Sequence, residues 1–263
     1  MTNTHVSRLR HAISMLLGLV LAVGSLTACQ LSAGSEGAAY AENCPKHSKL
    51  ATAVHLDVSG SFVTDQVDGQ RLGIVRDAIG RTAACGGHLQ IRAFAGSGAG
   101  TAVLYDDELH LKGSTETARL RRIPALIDSI TKQVSEGYTN LPTMTGGTDV
   151  VGQLRGDQEY AAQLGSGYSL WSITATDGLQ TAGVQWRKLT ESGTAEAQAK
   201  GLALADLSGT NAEVLFVGIG NTTDSDAPPT AVVEAVKSFY RVICDRLAAK
   251  RCDVATDYTP IGG

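Results

Sequence analysis

The chain has no CxxC pair, and its six histidines show no close spacing, so the ligand pattern of a zinc site is missing. No internal repeat is present, and no low-complexity segment lies outside a short stretch near the N-terminus, which sets aside solenoids and arrays. The glycine-rich AGSGAG at 95–100 lacks the Lys and Ser/Thr of a phosphate-binding P-loop. Basic residues are outnumbered, 22 Lys and Arg against 26 Asp and Glu. That balance argues against nucleic acid as a partner, because such binding rests on neutralising phosphates. The longest apolar run, ISMLLGLVLAVGSLTA at 13–28, is short for a membrane span.

Arg8, Arg10 and His11 precede that run, and a basic start before an apolar core is the layout of a signal peptide. The run ends LTAC, which resembles the lipobox of bacterial lipoproteins. The resemblance implies that Cys29 receives diacylglycerol and becomes the new N-terminus. Residues 1–28 are therefore expected to be removed, 29–43 to form a tether, and 44–263 to form the domain. The protein would sit on the extracytoplasmic side of the bacterial cell envelope, held to the membrane by its lipid. As a flexible coil the tether has a typical reach of roughly 20 Å. Loss of two arginines with the signal leaves 20 basic against 26 acidic residues, a net charge of −6. The 235 residues left suit a single domain. Cys44, Cys85, Cys244 and Cys252 are an even set in an exported chain, which points to two disulfides with three pairings open.

Within the domain, apolar strand-like runs alternate with helical patterns. ATAVHLD, HLQIRAFAG, TAVLYDDELHL, YSLWSITATD and AEVLFVGIG read as strands. The third is expected to carry an acidic turn or bulge at Asp106, Asp107 and Glu108. Helical spacing runs over 63–84, over 115–135 with a restart at Pro124, over 149–163, near 194–207, and after Pro229 along Val232, Val236, Phe239, Ile243 and Leu247. This alternation implies a doubly wound, Rossmann-like α/β fold. Its sheet would be mostly parallel, with helices on both faces and one antiparallel edge strand.

In such sheets ligands gather beyond the carboxyl ends of the strands. Asp57 and Asp177 each stand at a strand end, and Ser59, Ser61 and the helix-start Thr148 supply three hydroxyls. DVSGS, GGTD and TDG, in that order and at those places, resemble the metal-ion-dependent adhesion site of von Willebrand factor type A domains. The resemblance covers about residues 50–250. It implies that Ser59, Ser61 and Thr148 place hydroxyls on a divalent cation, with Asp57 and Asp177 holding it directly or through water. Mg²⁺ suits a set of neutral hydroxyls and water-bridged carboxylates, because it keeps near-octahedral oxygen coordination and several waters. Mn²⁺ or Ca²⁺ would be the other occupants. With few direct carboxylates the ion stays electrophilic, and its open position would take a carboxylate from a protein partner. Gly60, Gly146 and Gly147 would let the turns bring the hydroxyls close together.

Asp149 reads as a first-turn acid and His55 as a buried, hydrogen-bonded strand residue. An adhesion or interaction module without catalysis is the function this pattern implies. The rival classes are a Mg²⁺-dependent phosphoryl-transfer enzyme, which lacks an evident general acid or base here, and a solute-binding lipoprotein, which needs two lobes where one strand-helix series is present. Only one strand follows TDG, so the last strand of the family pattern is expected to be missing or replaced by the terminal helix.

Overall fold

A computed structural model describes residues 36–59, 65–96, 100–141, 144, 147–185, 188–222 and 228–261. Cys29 and the signal segment lie outside the described residues, as do Ser61, Gly60 and Gly146. The elements run β1 (Lys49–Asp57), α1 (Asp65–Cys85), β2 (Gly87–Phe94), β3 (Thr101–Leu109), α2 (Glu116–Leu120), α3 (Ile123–Thr139) and α4 (Val150–Leu164). They continue with β4 (Tyr168–Ala175), α5 (Thr194–Gly201), β5 (Glu213–Val217), α6 (Thr230–Arg246) and β6 (Arg251–Ala255).

Among the described residues the sheet has six strands in the order β3-β2-β1-β4-β5-β6. All neighbours are parallel except β2 and β3, so the fold is the expected doubly wound α/β sheet with one antiparallel edge. β1 is central and buried at every position after Lys49, which is why its sequence is a continuous apolar run rather than an alternation. The chain winds outward from β1 to one edge and then from β4 to the other. The switch point therefore lies between the carboxyl ends of β1 and β4.

The two faces carry separate cores. Val54, Leu56, Ile173 and Ala175 pack against Ile74 and Ile79 of α1, with Ile123, Ile127 and Val134 of α3 in the same cluster. Ala51, Ala53, Leu170 and Phe216 lie with Val150 and Leu154 of α4 and with Phe239, Tyr240 and Ile243 of α6. Pro124 sits in the first turn of α3, where its missing N–H costs nothing, and it restarts the helix as expected.

Three local expectations need correction. A last strand exists: β6 follows the terminal helix and pairs in parallel with β5 from Arg251 to Ala255. The acids Asp106, Asp107 and Glu108 lie within a strand rather than in a turn, and the bulge of that strand falls ahead of them at Leu104, between Tyr105 opposite Ile91 and Val103 opposite Arg92. α5 ends at Gly201, short of 207. In addition, residues 36–41 are helical, and Tyr40 is buried with its hydroxyl donating to Asp77 Oδ1 at 2.8 Å. This part of the expected tether is folded onto the domain. Both disulfides form, Cys44 with Cys85 and Cys244 with Cys252. Among the described residues no helix is long and apolar enough to cross a membrane.

Candidate metal centre

Asp57 is the last residue of β1 and is fully buried. Its Oδ1 accepts from the Ser59 amide at 2.9 Å and its Oδ2 from the Thr176 hydroxyl at 2.7 Å. Burial pushes the Asp57 carboxyl above its ordinary value of 3.8, against the opposing pull of the Thr176 hydroxyl. Arg71, reaching up from α1, donates to the Asp57 main-chain oxygen at 2.5 Å and to the Tyr138 hydroxyl of α3. One guanidinium thus holds the strand end to both helices of that face.

Ser59 is 5 % exposed. Its hydroxyl lies near enough to Asp57 to favour the ionised carboxylate. Yet Oγ is buried without a hydrogen-bond partner of acceptable geometry among the described residues. Buried hydroxyls are usually satisfied, so an orphan of this kind calls for an explanation.

Thr148 stands just before α4 and is 3 % exposed. Its neighbour Asp149 is the N-cap rather than the expected first-turn acid, accepting from the Gly152 amide at 2.9 Å. The loop that follows Asp177 grips this helix start. The Thr148 amide donates to Thr181 Oγ1 at 2.7 Å, and the Thr148 carbonyl accepts from the Thr181 amide at 2.9 Å. Gln180 Oε1 accepts from the Val151 amide at 2.9 Å. From the other side Gly96, just past β2, forms a parallel bridge to Thr148 and donates to the Gly147 carbonyl. A side chain at 147 would collide with Thr181 Oγ1 at 1.7 Å, so only glycine permits this closeness.

Asp177 is fully buried two residues beyond β4, and its Oδ1 accepts from the Leu179 amide at 2.8 Å. Beneath it Tyr240 donates to the Gly178 carbonyl at 3.2 Å. The Tyr240 phenol is held well above its usual value, first by burial and then by the charges of Asp177, Asp57 and Asp149. Thr176 on Asp57 joins the ends of β4 and β1, and Thr181 on Thr148 joins the loop beyond β4 to the start of α4.

No family model matches this chain, and no curated protein matches it. Solved structures do. The pilus adhesin SpaC from Lactobacillus rhamnosus GG, in its open conformation, is 15 % identical with a TM-score of 0.42, over 82 % of this chain and 29 % of that one. An aerotolerance-related membrane protein from Bacteroides fragilis NCTC 9343 is 13 % identical with a TM-score of 0.40, over 79 % and 90 %. The human COPII-coat protein Sec24c is 11 % identical with a TM-score of 0.38, over 82 % and 31 %. This chain thus spans less than a third of the adhesin's length. Likeness at this level transfers no activity.

Of the five residues expected to act together, Asp57, Ser59, Thr148 and Asp177 lie on the loops that meet at the switch point. Thr176, Gln180, Thr181 and Arg71 were not singled out from sequence, although they hold those loops in place. Thr176 had a readable signal: it lies one residue before Asp177, at the end of a strand expected beside the one that ends in Asp57. The other three act through contacts between segments far apart in the chain. His55 is fully buried and pairs through Nε2 with Asp157 Oδ1 at 2.6 Å, as expected of a strand histidine rather than a ligand.

Among the described residues no group of three or more His, Cys, Asp or Glu could hold a metal, so a cage of soft ligands or of many carboxylates is not what these loops build. Two carboxylates with hydroxyls form a hard, oxygen-only set, and Ser59 Oγ, lacking a well-formed hydrogen bond among the described residues, is an oxygen donor in it. These residues fit a small hard cation.

Proposed function

We propose that this chain is a lipid-anchored, extracytoplasmic von Willebrand type A module. It binds a divalent cation, Mg²⁺ by preference, and through that ion an acidic group of a protein partner, with no catalysis. The observation that carries the proposal is the buried hydroxyl of Ser59 beside Asp57, without a hydrogen-bond partner of acceptable geometry among the described residues, next to the loop beyond Asp177 that holds Thr148. Ser59, Ser61 and Thr148 would supply hydroxyls, and Asp57 and Asp177 would hold the ion directly or through water. When bound, the ion supplies an electrophilic position for a carboxylate. The N-terminus of α4, close behind Thr148, adds a favourable field for that anion. The anchor is supported by LTAC at Cys29.

Calorimetric titration with Mn²⁺ and Mg²⁺ tests the proposal on wild type, Ser59→Ala and Asp57→Ala. Because the pull on the Asp57 carboxylate is the one polar contact of Ser59 Oγ among the described residues, Ser59→Ala is expected to change metal-free stability by about 1 kcal/mol or less. The same change is expected to weaken metal binding about tenfold or more. Unchanged affinity in both variants rejects the proposal. Capture of surface proteins by wild type, lost in EDTA and in Asp57→Ala, is the expected signature of the partner.

A further inference from the structure

Beneath the candidate centre, on the α4 face of the sheet, lies a second polar group that the metal reading does not use. Asp157 of α4, His55 of β1 and Ser172 of β4 are all fully buried. Asp157 Oδ1 pairs with His55 Nε2 at 2.6 Å, and its Oδ2 accepts from the Ser172 hydroxyl at 2.5 Å. The residue types are those of a hydrolase triad, but the connections are not. The hydroxyl sits on the carboxylate instead of the imidazole, and none of the three reaches solvent. A nucleophile would need the opposite order and access to a substrate.

The placement suggests a different role. His55 and Ser172 stand on adjacent central strands, with Ala53 opposite Ser172 and Thr174 opposite His55 in the register. One carboxylate therefore ties a helix to two strands at once. Its helix is the one that begins two residues after Thr148. Asp157 is the eighth residue of α4, about 10 Å down the axis from Val150, and His55 is two residues back from Asp57. The brace and the site are thus two levels of one helix-on-sheet contact.

Apolar packing alone would hold that contact loosely in the sliding direction. The surface that β1 offers to α4 is Ala51 and Ala53, fully buried and nearly featureless. Directional bonds from the body of α4 to the sheet come from Asp157 and from Tyr160, whose hydroxyl donates to the His88 carbonyl at 3.0 Å. A buried charged or strongly polar pair adds little net stability over an apolar filling, and its best-attested contribution is to fix register.

We infer that Asp157, braced by His55 and Ser172, is a positioning residue for the metal centre. It sets how far α4 extends toward the strand ends, and so where Thr148 stands relative to Asp57 and Ser59. This inference rests on the proposed metal site.

Mn²⁺ titration of the full domain, well below its unfolding temperature, tests it. Asp157→Ala is expected to weaken Mn²⁺ binding about tenfold. Ser172→Ala removes one arm only, keeps the fold if Asp157→Ala does not, and is expected to cost about threefold. Ile130→Ala, in the core of the opposite face, serves as a destabilised control that should bind Mn²⁺ as wild type does. The decisive readout is coupling: in a Thr148→Ala background, Asp157→Ala or Ser172→Ala should produce no further loss, because the brace acts through Thr148. Additive losses overturn the inference. So does wild-type affinity in Ser172→Ala and Asp157→Ala, or a loss in Ile130→Ala as large as theirs. A wild type that binds no Mn²⁺ fails differently, since the metal reading then falls first and takes the brace with it.

Discussion

Gly147→Ala is the most exacting perturbation of the loop junction. A methyl at 147 would lie 1.7 Å from Thr181 Oγ1, 2.8 Å from its Cβ and 3.5 Å from its Cγ2. Rotating the Thr181 side chain can move the hydroxyl, but it cannot move Cβ. The 177–182 loop must therefore shift. Overpacking of this kind costs about 1–3 kcal/mol. The moved hydroxyl also abandons the Thr148 amide, now 2.7 Å away, and an unsatisfied buried N–H costs about 1–3 kcal/mol more. The sum, about 2–6 kcal/mol, corresponds to a fall in melting temperature of about 4–24 °C for a domain of this size.

Calorimetric melting checks the stability, and Mn²⁺ titration checks that the displaced Thr148 weakens binding about tenfold or more. Adding Thr181→Gly removes both clashing atoms, Oγ1 and Cβ, but restores no acceptor for the Thr148 amide. The double variant should recover the steric part of the loss and leave the hydrogen-bond part. The reasoning is refuted if Gly147→Ala melts within about 1 °C of wild type, or if the double variant is no more stable than the single one.

Two other outcomes follow from groups already described. The folded Asp57 carboxyl lies above its ordinary value of 3.8 because it is buried, so the fold favours its protonated form. Metal-free stability should therefore be highest below that value and fall as pH rises through the window up to the raised folded value. Urea unfolding across that range, compared with Asp57→Asn, should show a loss peculiar to wild type that saturating Mg²⁺ reduces; a pH-independent difference between the two proteins argues against it. For the disulfides, loop entropy gives about 4 kcal/mol for Cys44–Cys85, separated by 41 residues, and about 2.5 kcal/mol for Cys244–Cys252, separated by 8. Paired Cys→Ala variants in urea should follow that order, and the reverse order would count against an entropic origin.

Much of the fold could be read from the chain because buried parallel strands declare themselves. β1, β2, β4 and β5 are short apolar runs bounded by turn residues, and the stripe of α6 is regular. β6 was missed for a physical reason. RCDVA is an edge strand with no position fully buried, so it carries neither an apolar run nor a clean alternation. Its place is set by pairing with β5 and by the Cys244–Cys252 link, both of which are contacts rather than patterns. Residues 36–41 were read as tether because small and polar residues dominate there. Among the described contacts that order them are the Tyr40 ring against Gly80 and Asp77 and the close approach of Gly37 to Leu120.

The sequence by itself determined the fold class, the number of disulfides, and the strand-end and helix-start positions of Asp57, Thr148 and Asp177. Those follow from local periodicity and from oxygen side chains at the ends of apolar runs, which are properties of neighbouring residues. The tertiary structure alone decided the disulfide pairing, the last strand, and the second rank of groups around the candidate centre. Thr176 on Asp57, Thr181 and Gln180 on the start of α4, Arg71 across β1 and α3, and Asp157 on two strands join segments 14 to 119 residues apart. Nothing in a linear pattern marks such partners, because hydrogen-bond directions between distant segments exist only once the sheet has set its strand order.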